Sequence, residues 1–252
     1  MGRFPAPVRS LLHPVVLTLA LLLLPAALPA AAQQDVQQAE TFFQQGISAL
    51  ETQDYPAALQ AFTQAAEILS AIPGTQEQQA TCYLNMGAAL NGLVLPDLAL
   101  ARVQQALALY QTVSGTEEQQ AVCYFNIGSA LDDLGNYEES LANYDQALAL
   151  YATLPDSQKD QADCHMNAGV TFLHSGQDQQ AIAKEKQALA IYQTLPGTEE
   201  EQALCHHNLG AALADLGQYD ESLQETQQAL ALLQTLEGTE AHQADCYFNL
   251  GD

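Results

Sequence analysis

Five cysteines recur along this sequence at an interval of 41 residues, at Cys82, Cys123, Cys164, Cys205 and Cys246. A thiol can form a disulfide, bind a metal ion or act as a nucleophile, so these residues are the first candidates for chemistry. If the interval marks stacked helices, equivalent positions lie about 8–10 Å apart, whereas a disulfide needs Cα atoms closer than about 7 Å. We therefore expect free thiols buried between helices.

Two of the cysteines have histidine neighbours, in Cys164-His165 and in Cys205-His206-His207. Zinc needs its ligands within about 2–2.3 Å of one ion, but adjacent side chains on a helix point in different directions. His165 and His206 also occupy the position that tyrosine holds in other copies, which indicates packing; the tyrosines are Tyr83, Tyr124 and Tyr247. The sequence therefore predicts no metal site and no cofactor. Because it also lacks hydrolase motifs and a phosphate-binding loop, we do not expect enzyme activity within this chain.

Asparagine and glycine keep the same interval as the cysteines. The asparagines are Asn85, Asn126, Asn167, Asn208 and Asn249, and the glycines are Gly87, Gly128, Gly169, Gly210 and Gly251. An unbroken period of this length is typical of a solenoid, in which each unit buries its apolar face by stacking on the next.

Within one period the apolar residues have the spacing of two amphipathic helices. Gly135-Asn136 separates the two helices, and Leu154-Pro155 ends the second because proline cannot continue a helix. A hydroxyl residue precedes each first helix in register, at Thr75, Thr116, Ser157, Thr198 and Thr239. A glutamine or glutamate follows three residues later in three copies, as at Gln78, which predicts reciprocal capping boxes.

The spacing of small and aromatic residues in this unit resembles the tetratricopeptide repeat (TPR) pattern. It runs through Tyr124, Gly128, Gly135, Tyr137, Ser140, Tyr144 and Ala147. The unit is longer than the usual 34 residues and is similar to the long repeats of kinesin light chain and of bacterial TPR arrays. The resemblance implies an all-α fold, a right-handed α-α superhelix (TPR solenoid) of helical hairpins. It would cover residues 33–252, as five units and a truncated sixth.

The two packing faces of each first helix are predicted to leave one side free. In TPR proteins this side lines a concave channel that takes peptides, and in long-repeat relatives its asparagine can hold the ligand backbone. The candidate peptide-binding residues are Asn85, Asn126, Asn167, Asn208, Phe125, Met166, His207, Asp133 and Asp215. Two alternatives remain open: the asparagines could tie one repeat to the next, and the apolar residues could belong to the core.

The chain is strongly acidic, with 30 Asp and Glu against six Lys and Arg and a formal charge of −24. Nucleic acid and anionic membranes need a cationic surface and are therefore poor partners. A basic peptide would be attracted, although the acids could serve solubility alone.

Residues 1–32 have the features of a secretory signal peptide. Arg3 and Arg9 precede an apolar run from 15 to 24, and Ala30-Ala31-Ala32 provides small residues for cleavage. We therefore expect an exported protein, periplasmic or extracellular, with Gln33 at its mature N-terminus and no membrane association after cleavage.

Two units depart from the pattern. Val94-Leu95-Pro96 replaces a polar turn; we expect a locally altered hairpin there, and an apolar turn exposed for contact is the alternative. The last unit stops inside its first helix. The sequence therefore predicts a secreted or periplasmic scaffold that binds a protein or peptide. It leaves two alternatives: the recognition arm of a larger enzyme, such as a caspase-like peptidase protein, and a structural array that self-associates through its C-terminal edge.

Overall fold

The computed structural model describes residues 30–250, which form eleven α-helices and no strand. The all-α prediction is confirmed. The helices are α1 (Ala30–Glu51), α2 (Tyr55–Ser70), α3 (Gln76–Gly92), α4 (Pro96–Tyr110), α5 (Glu117–Asp133), α6 (Tyr137–Tyr151), α7 (Gln158–His174), α8 (Asp178–Tyr192), α9 (Glu199–Asp215), α10 (Tyr219–Leu233) and α11 (Glu240–Leu250).

Consecutive helices pair as hairpins within each of the units described below, α1 with α2, α3 with α4, α7 with α8 and α9 with α10. By position in the sequence we number two helices to a repeat, from repeat 1 (α1 and α2) to repeat 5 (α9 and α10), with α11 beginning repeat 6. In repeats 2 to 5 the first helix has 17 residues and the second has 15. The described residues divide into two compact units, the N-terminal unit (30–134) and the C-terminal unit (135–250). Within each unit every helix packs against the next one along the chain.

Each unit has its own apolar core between neighbouring hairpins. In the N-terminal unit the rings of Phe43 and Phe62 pack edge to face with their centroids 5.3 Å apart, and Cys82 packs in the same cluster. In the C-terminal unit Met166 and Cys205 pack together between α7, α8 and α9. All five cysteines are free and buried, as the sequence predicts. Burial raises the pKa of the Cys82 thiol to about 12, so this group stays protonated at neutral pH.

The turn inside each hairpin needs one residue with a left-handed backbone. Glycine supplies it in repeats 3 to 5, with φ of 71–76° at Gly135, Gly176 and Gly217. In repeat 2 the same position is Val94, with φ 58°. The expected local change of the hairpin is wrong, because α3 and α4 keep the helix lengths and turn position of the other repeats. Instead the apolar turn is exposed: Val94 is 82% and Leu95 42% exposed to solvent.

The connection between consecutive repeats is held by a side-chain bond to the preceding helix. Thr75, Thr116, Ser157 and Thr198 are N-cap residues as predicted, but their side chains make no capping bond, so the predicted capping boxes are wrong. The Thr198 hydroxyl instead donates backwards to the carbonyl of Tyr192 at 2.7 Å and lies 3.1 Å from that of Leu195. Gln202, four residues after the threonine, donates to its hydroxyl at 3.1 Å.

The same arrangement recurs after every hairpin. The hydroxyl-to-carbonyl distances are 2.7 Å for Thr75 to Leu69, 2.8 Å for Thr116 to Tyr110, 2.6 Å for Ser157 to Tyr151 and 2.8 Å for Thr239 to Leu233. We call this bond the threonine clasp. It adds a side-chain donor to a helix-end carbonyl that also accepts a backbone N–H, as the Tyr192 carbonyl does from Leu195 at 2.9 Å.

The predicted signal peptide lies outside the described residues except for Ala30–Ala32, which form the start of α1. Within residues 30–250, no helix combines the length and the apolar composition that crossing a membrane requires.

Candidate functional site

The side of the first helices that was predicted to be free is largely buried. Here α3 contacts α5, and α7 contacts α9, so that first helices cover one another within each unit. We call this side the inner face. Phe125 is 8% exposed, and Met166 and His207 are fully or almost fully buried. The asparagines Asn85, Asn126, Asn167 and Asn208 are also buried. Of the candidate residues only Asp133, which is half-buried, and Asp215, which is exposed, reach solvent readily.

The inner-face asparagines fall into two groups by their hydrogen bonds. Three donate from Nδ2 to the carbonyl four residues earlier in their own helix: Asn85 to Thr81 at 2.9 Å, Asn126 to Val122 at 3.0 Å and Asn167 to Asp163 at 2.9 Å. Asn208 instead donates to Oε1 of Glu185 on α8, at 3.0 Å. The inter-repeat bond that was one alternative for the asparagines is therefore present at Asn208.

Glu185 was missed in the sequence and is fully buried. Its position in the other repeats holds Phe62, Val103, Tyr144 or Thr226, so an alignment of the repeats would have revealed a single acid in an uncharged column. Burial raises the pKa of Glu185 well above its ordinary value, while hydrogen bonds from Asn208 and Cys205 oppose that rise.

A second buried acid, Asp163, lies at the other end of repeat 4. The Tyr192 hydroxyl donates to Asp163, whose carboxylate also lies 3.4 Å from the Lys159 ammonium. Lys159 reaches Glu201 on α9 at 2.7 Å. Burial and the adjacent Asp163 raise the pKa of Tyr192, so the phenol keeps the proton that it donates.

The histidines of α9 are packed and paired. His206 lies 2.6 Å from Glu225 on α10, and His207 lies 3.8 Å from the Cys246 sulfur. Burial lowers the pKa of His207 below its ordinary value, which keeps the imidazole neutral. In the part of the chain that the structure describes, no three His, Cys, Asp or Glu side chains converge as metal ligands would.

The hairpin turns of the C-terminal unit form an exposed acidic edge. We define this acidic edge as Glu138, Glu139, Asp178 and Asp215, of which Asp178 is half-buried and the other three are exposed. The first two line an open cavity of about 380 Å³ between the start of α6 and the α7–α8 turn, together with Asn136, Tyr137 and Gln177. Burial, and to a smaller extent the charge of Asp215, raises the pKa of Asp178. An edge of this kind attracts cationic side chains.

Comparison with known proteins decides the family. Tetratricopeptide repeat family models match residues 78–153, 119–194 and 203–236, which together are more than half of the chain. The chain belongs to the tetratricopeptide repeat family. A search of curated proteins finds no match.

Several solved structures have the fold of this TPR protein. BtubC (BKLC) from P. vanneervenii is 19% identical over 83% of this chain and 91% of its own, with a TM-score of 0.70. A putative kinesin light chain of TPR-like repeats from Podosopora anserina is 16% identical over 81% and 97%, with a TM-score of 0.65. Aspartyl phosphate phosphatase F from Bacillus subtilis is 17% identical over 82% of this chain but 53% of its own, with a TM-score of 0.70. At these identities the matches show the shared fold alone.

Proposed function

We propose that this TPR protein is a scaffold that binds a basic peptide or protein segment along the acidic edge of its C-terminal unit. The observation that carries the proposal is the open cavity lined by Glu138 and Glu139. Asp178 directly follows the lining residue Gln177, and the charge of Asp215 acts on it. A lysine or arginine side chain would enter the cavity against two carboxylates, the Tyr137 ring and the amides of Asn136 and Gln177.

The proposal gives the buried asparagines a different role from the one the resemblance implied. An extended peptide on the inner face would need the first helices to separate, because Met166 and Asn208 are fully buried there. We therefore expect the inner-face asparagines to bind the main chain of a peptide only when the inner face is open. If Asn126→Ala with Asn167→Ala weakens binding in a folded protein, the inner face takes part after all.

Charge reversal at the cavity tests the proposal. Fluorescence anisotropy would follow the binding of labelled Lys- and Arg-rich peptides to wild type and to Glu138→Lys with Glu139→Lys. The matched control is Glu117→Lys with Glu118→Lys, two exposed acids in the first turn of α5 that do not line the cavity. We expect at least a tenfold loss of affinity for the cavity variant and less than threefold for the control. Equal losses of affinity in the two variants would mean that only the net charge matters. No loss in the cavity variant would mean that the cavity does not bind the peptide.

A second candidate function, self-association, is favoured by the exposed apolar side chains of α10 and α11. Tyr219 is 70% and Phe248 63% exposed, and Leu223 on α10 is 44% exposed. The two helices pack against each other, and exposed apolar patches are typical of interfaces. Sedimentation velocity at rising concentration would show assembly, which Phe248→Ser with Leu223→Gln should abolish; a wild type that stays monomeric would rule it out.

We also propose that the protein is exported, which rests on residues 1–32 of the sequence. The intact mass of the natural protein tests this proposal. A mass that begins at Gln33 agrees with cleavage, and a retained Met1 segment contradicts it.

A further inference from the structure

Repeat 4 buries a carboxyl group where its neighbours bury neutral side chains. Glu185 lies in the middle of α8 and is 0% exposed. Its carboxyl packs so closely on α7 that a β-carbon at position 169 would lie 2.6 Å from Oε1. Gly169 provides the space, as Gly87 does for Val103 and Gly210 for Thr226 in other repeats. The backbone thus holds a slot between the two helices of a hairpin, and an acid fills it only in repeat 4.

The groups that face this carboxyl come from both neighbouring helices. From α9, Asn208 donates to Oε1 at 3.0 Å and the Cys205 thiol hydrogen-bonds to the carboxyl. From α7, the surface that meets it is the backbone of Gly169. Two further acids, Asp163 on α7 and Glu201 on α9, act by their charges on Cys205. The other oxygen, Oε2, is buried and has no hydrogen-bond partner.

Such surroundings suit a neutral carboxyl and disfavour an ionised one. A buried carboxylate needs a cation or several donors to replace its hydration. The two bases nearest in sequence, Lys184 and Lys186, flank Glu185 on α8, whereas the partners of its carboxyl are Asn208 and Cys205. When α9 separates from α8, water reaches the group and allows it to ionise.

We propose that Glu185 is a proton-dependent lock between repeats 4 and 5: the protonated carboxyl holds α9 against α8, and its ionisation favours separation of the two helices. The sign follows from linkage. Below the ordinary pKa of a glutamate the group is protonated whether the interface is open or closed, and pH has no effect through it. Above that value the open form ionises first, so the closed form becomes less favoured as pH rises towards the pKa of the buried group.

The buried cysteines provide a built-in measurement of this opening. Each of the five lies at the same position of its own first helix and is buried, so a thiol reagent reaches it only when its surroundings open. Cys205 reports the interface of α8 with α9, and Cys164 on α7 serves as the internal reference. The ratio of the two labelling rates removes most of the rise in intrinsic thiol reactivity with pH.

The experiment is pulse labelling of the native, full chain with N-ethylmaleimide from pH 5 to pH 8.5, followed by mass spectrometry of the cysteine peptides. We expect the ratio of Cys205 to Cys164 labelling to rise with pH, by up to about tenfold per unit. Glu185→Gln keeps the shape and the acceptor for Asn208 but cannot ionise, so its ratio should be flat. Glu185→Thr, the residue type of repeat 5, should be flat as well.

Glu221→Gln is the control, since this exposed acid on α10 lies outside the interface and should leave the rise unchanged. Two results would overturn the proposal: a wild-type ratio that does not change with pH, or a rise that persists in Glu185→Gln. Because the readout needs no peptide, its outcome is independent of the binding function proposed above.

Discussion

Repeat 2 of the N-terminal unit and repeat 4 of the C-terminal unit have the same helix lengths but opposite placements of polar and apolar side chains. In repeat 2 the slot beside the first-helix glycine holds Val103, whereas in repeat 4 it holds Glu185. At the turn inside each hairpin the relation reverses. Repeat 2 exposes the apolar residues Val94 and Leu95 there, whereas repeat 4 has Gly176 and Gln177 at the same positions. The comparison shows that one backbone arrangement accepts either set of side chains.

The features common to both repeats are those that touch the backbone. Both end in a threonine clasp, at Thr116 after repeat 2 and at Thr198 after repeat 4. Both have a glycine that lets the second helix approach the first, because a β-carbon there would overlap the facing side chain. These contacts determine the hairpin geometry, and the remaining side chains are free to differ. Repeat 4 has therefore acquired buried acids without a change in helix length.

The largest difference between the two repeats should appear when one hydroxyl partner is removed from each. Asp163→Ala leaves the buried Tyr192 hydroxyl without its acceptor and removes one partner of Lys159, so we expect a loss of about 3 kcal/mol. Thr81→Val removes a neutral bond of 2.9 Å to Tyr110 at the matching position, and we expect a loss of about 1 kcal/mol.

Amide hydrogen exchange measures these losses locally, in α7–α8 for the first variant and in α3–α4 for the second. Equal losses in the two repeats would show that the charge of Asp163 adds nothing to its bond with Tyr192. A smaller loss for Asp163→Ala than for Thr81→Val would mean that its desolvation outweighs its contacts.

The threonine clasp should contribute equally in both repeats. Thr116→Val and Thr198→Val each remove the hydroxyl that binds the preceding helix and receives a glutamine, at a cost of about 1–2 kcal/mol. Thr153→Val is the control, because this exposed threonine bonds only within its own helix end. Urea unfolding would compare the three variants. If the losses of unfolding free energy in Thr116→Val and Thr198→Val differed by more than a factor of two, the clasp would not contribute equally to the two repeats.

The smallest effect on the free energy of unfolding is expected at the turns inside the hairpins. Val94→Gly removes a β-branched residue from a left-handed backbone and should stabilise the protein by about 0.5–1 kcal/mol. The reverse change in repeat 4, Gly176→Val, should destabilise it by about 1–2 kcal/mol. Thermal unfolding followed by circular dichroism measures both. A neutral Gly176→Val would show that the turn tolerates any residue, and Val94 would then carry no strain.

The regular features of the fold could be predicted because each depends on residues close in the chain. The interval between cysteines, the apolar spacing of the helices and Gly135-Asn136 indicate the hairpins directly. The threonine position was also predictable, but the partner of its hydroxyl was not. The Thr198 hydroxyl could bond to an amide in the first turn of its own helix or to the carbonyl of Tyr192. Which bond forms depends on how close the end of the preceding helix lies to the start of the next.

The candidate site was predictable only in part, since burial depends on neighbouring hairpins. A helical wheel leaves one side of α7 free, yet the approach of α9 buries Met166 and Asn167. Glu185 was visible as an exception among the repeats, but a glutamate on a helix is normally exposed. Its burial follows from the glycine slot, which forms when α8 packs on α7.

The sequence by itself determined the repeat length, the helices, the free thiols and the acidic character, because these follow from periodicity and composition. Only the tertiary structure decided which polar groups are enclosed and which remain in water. The physical reason is that helical periodicity specifies the direction of a side chain, whereas its burial depends on the distance to helices from other repeats. That distance places Glu185 in the core and leaves Glu138 and Glu139 at the open edge.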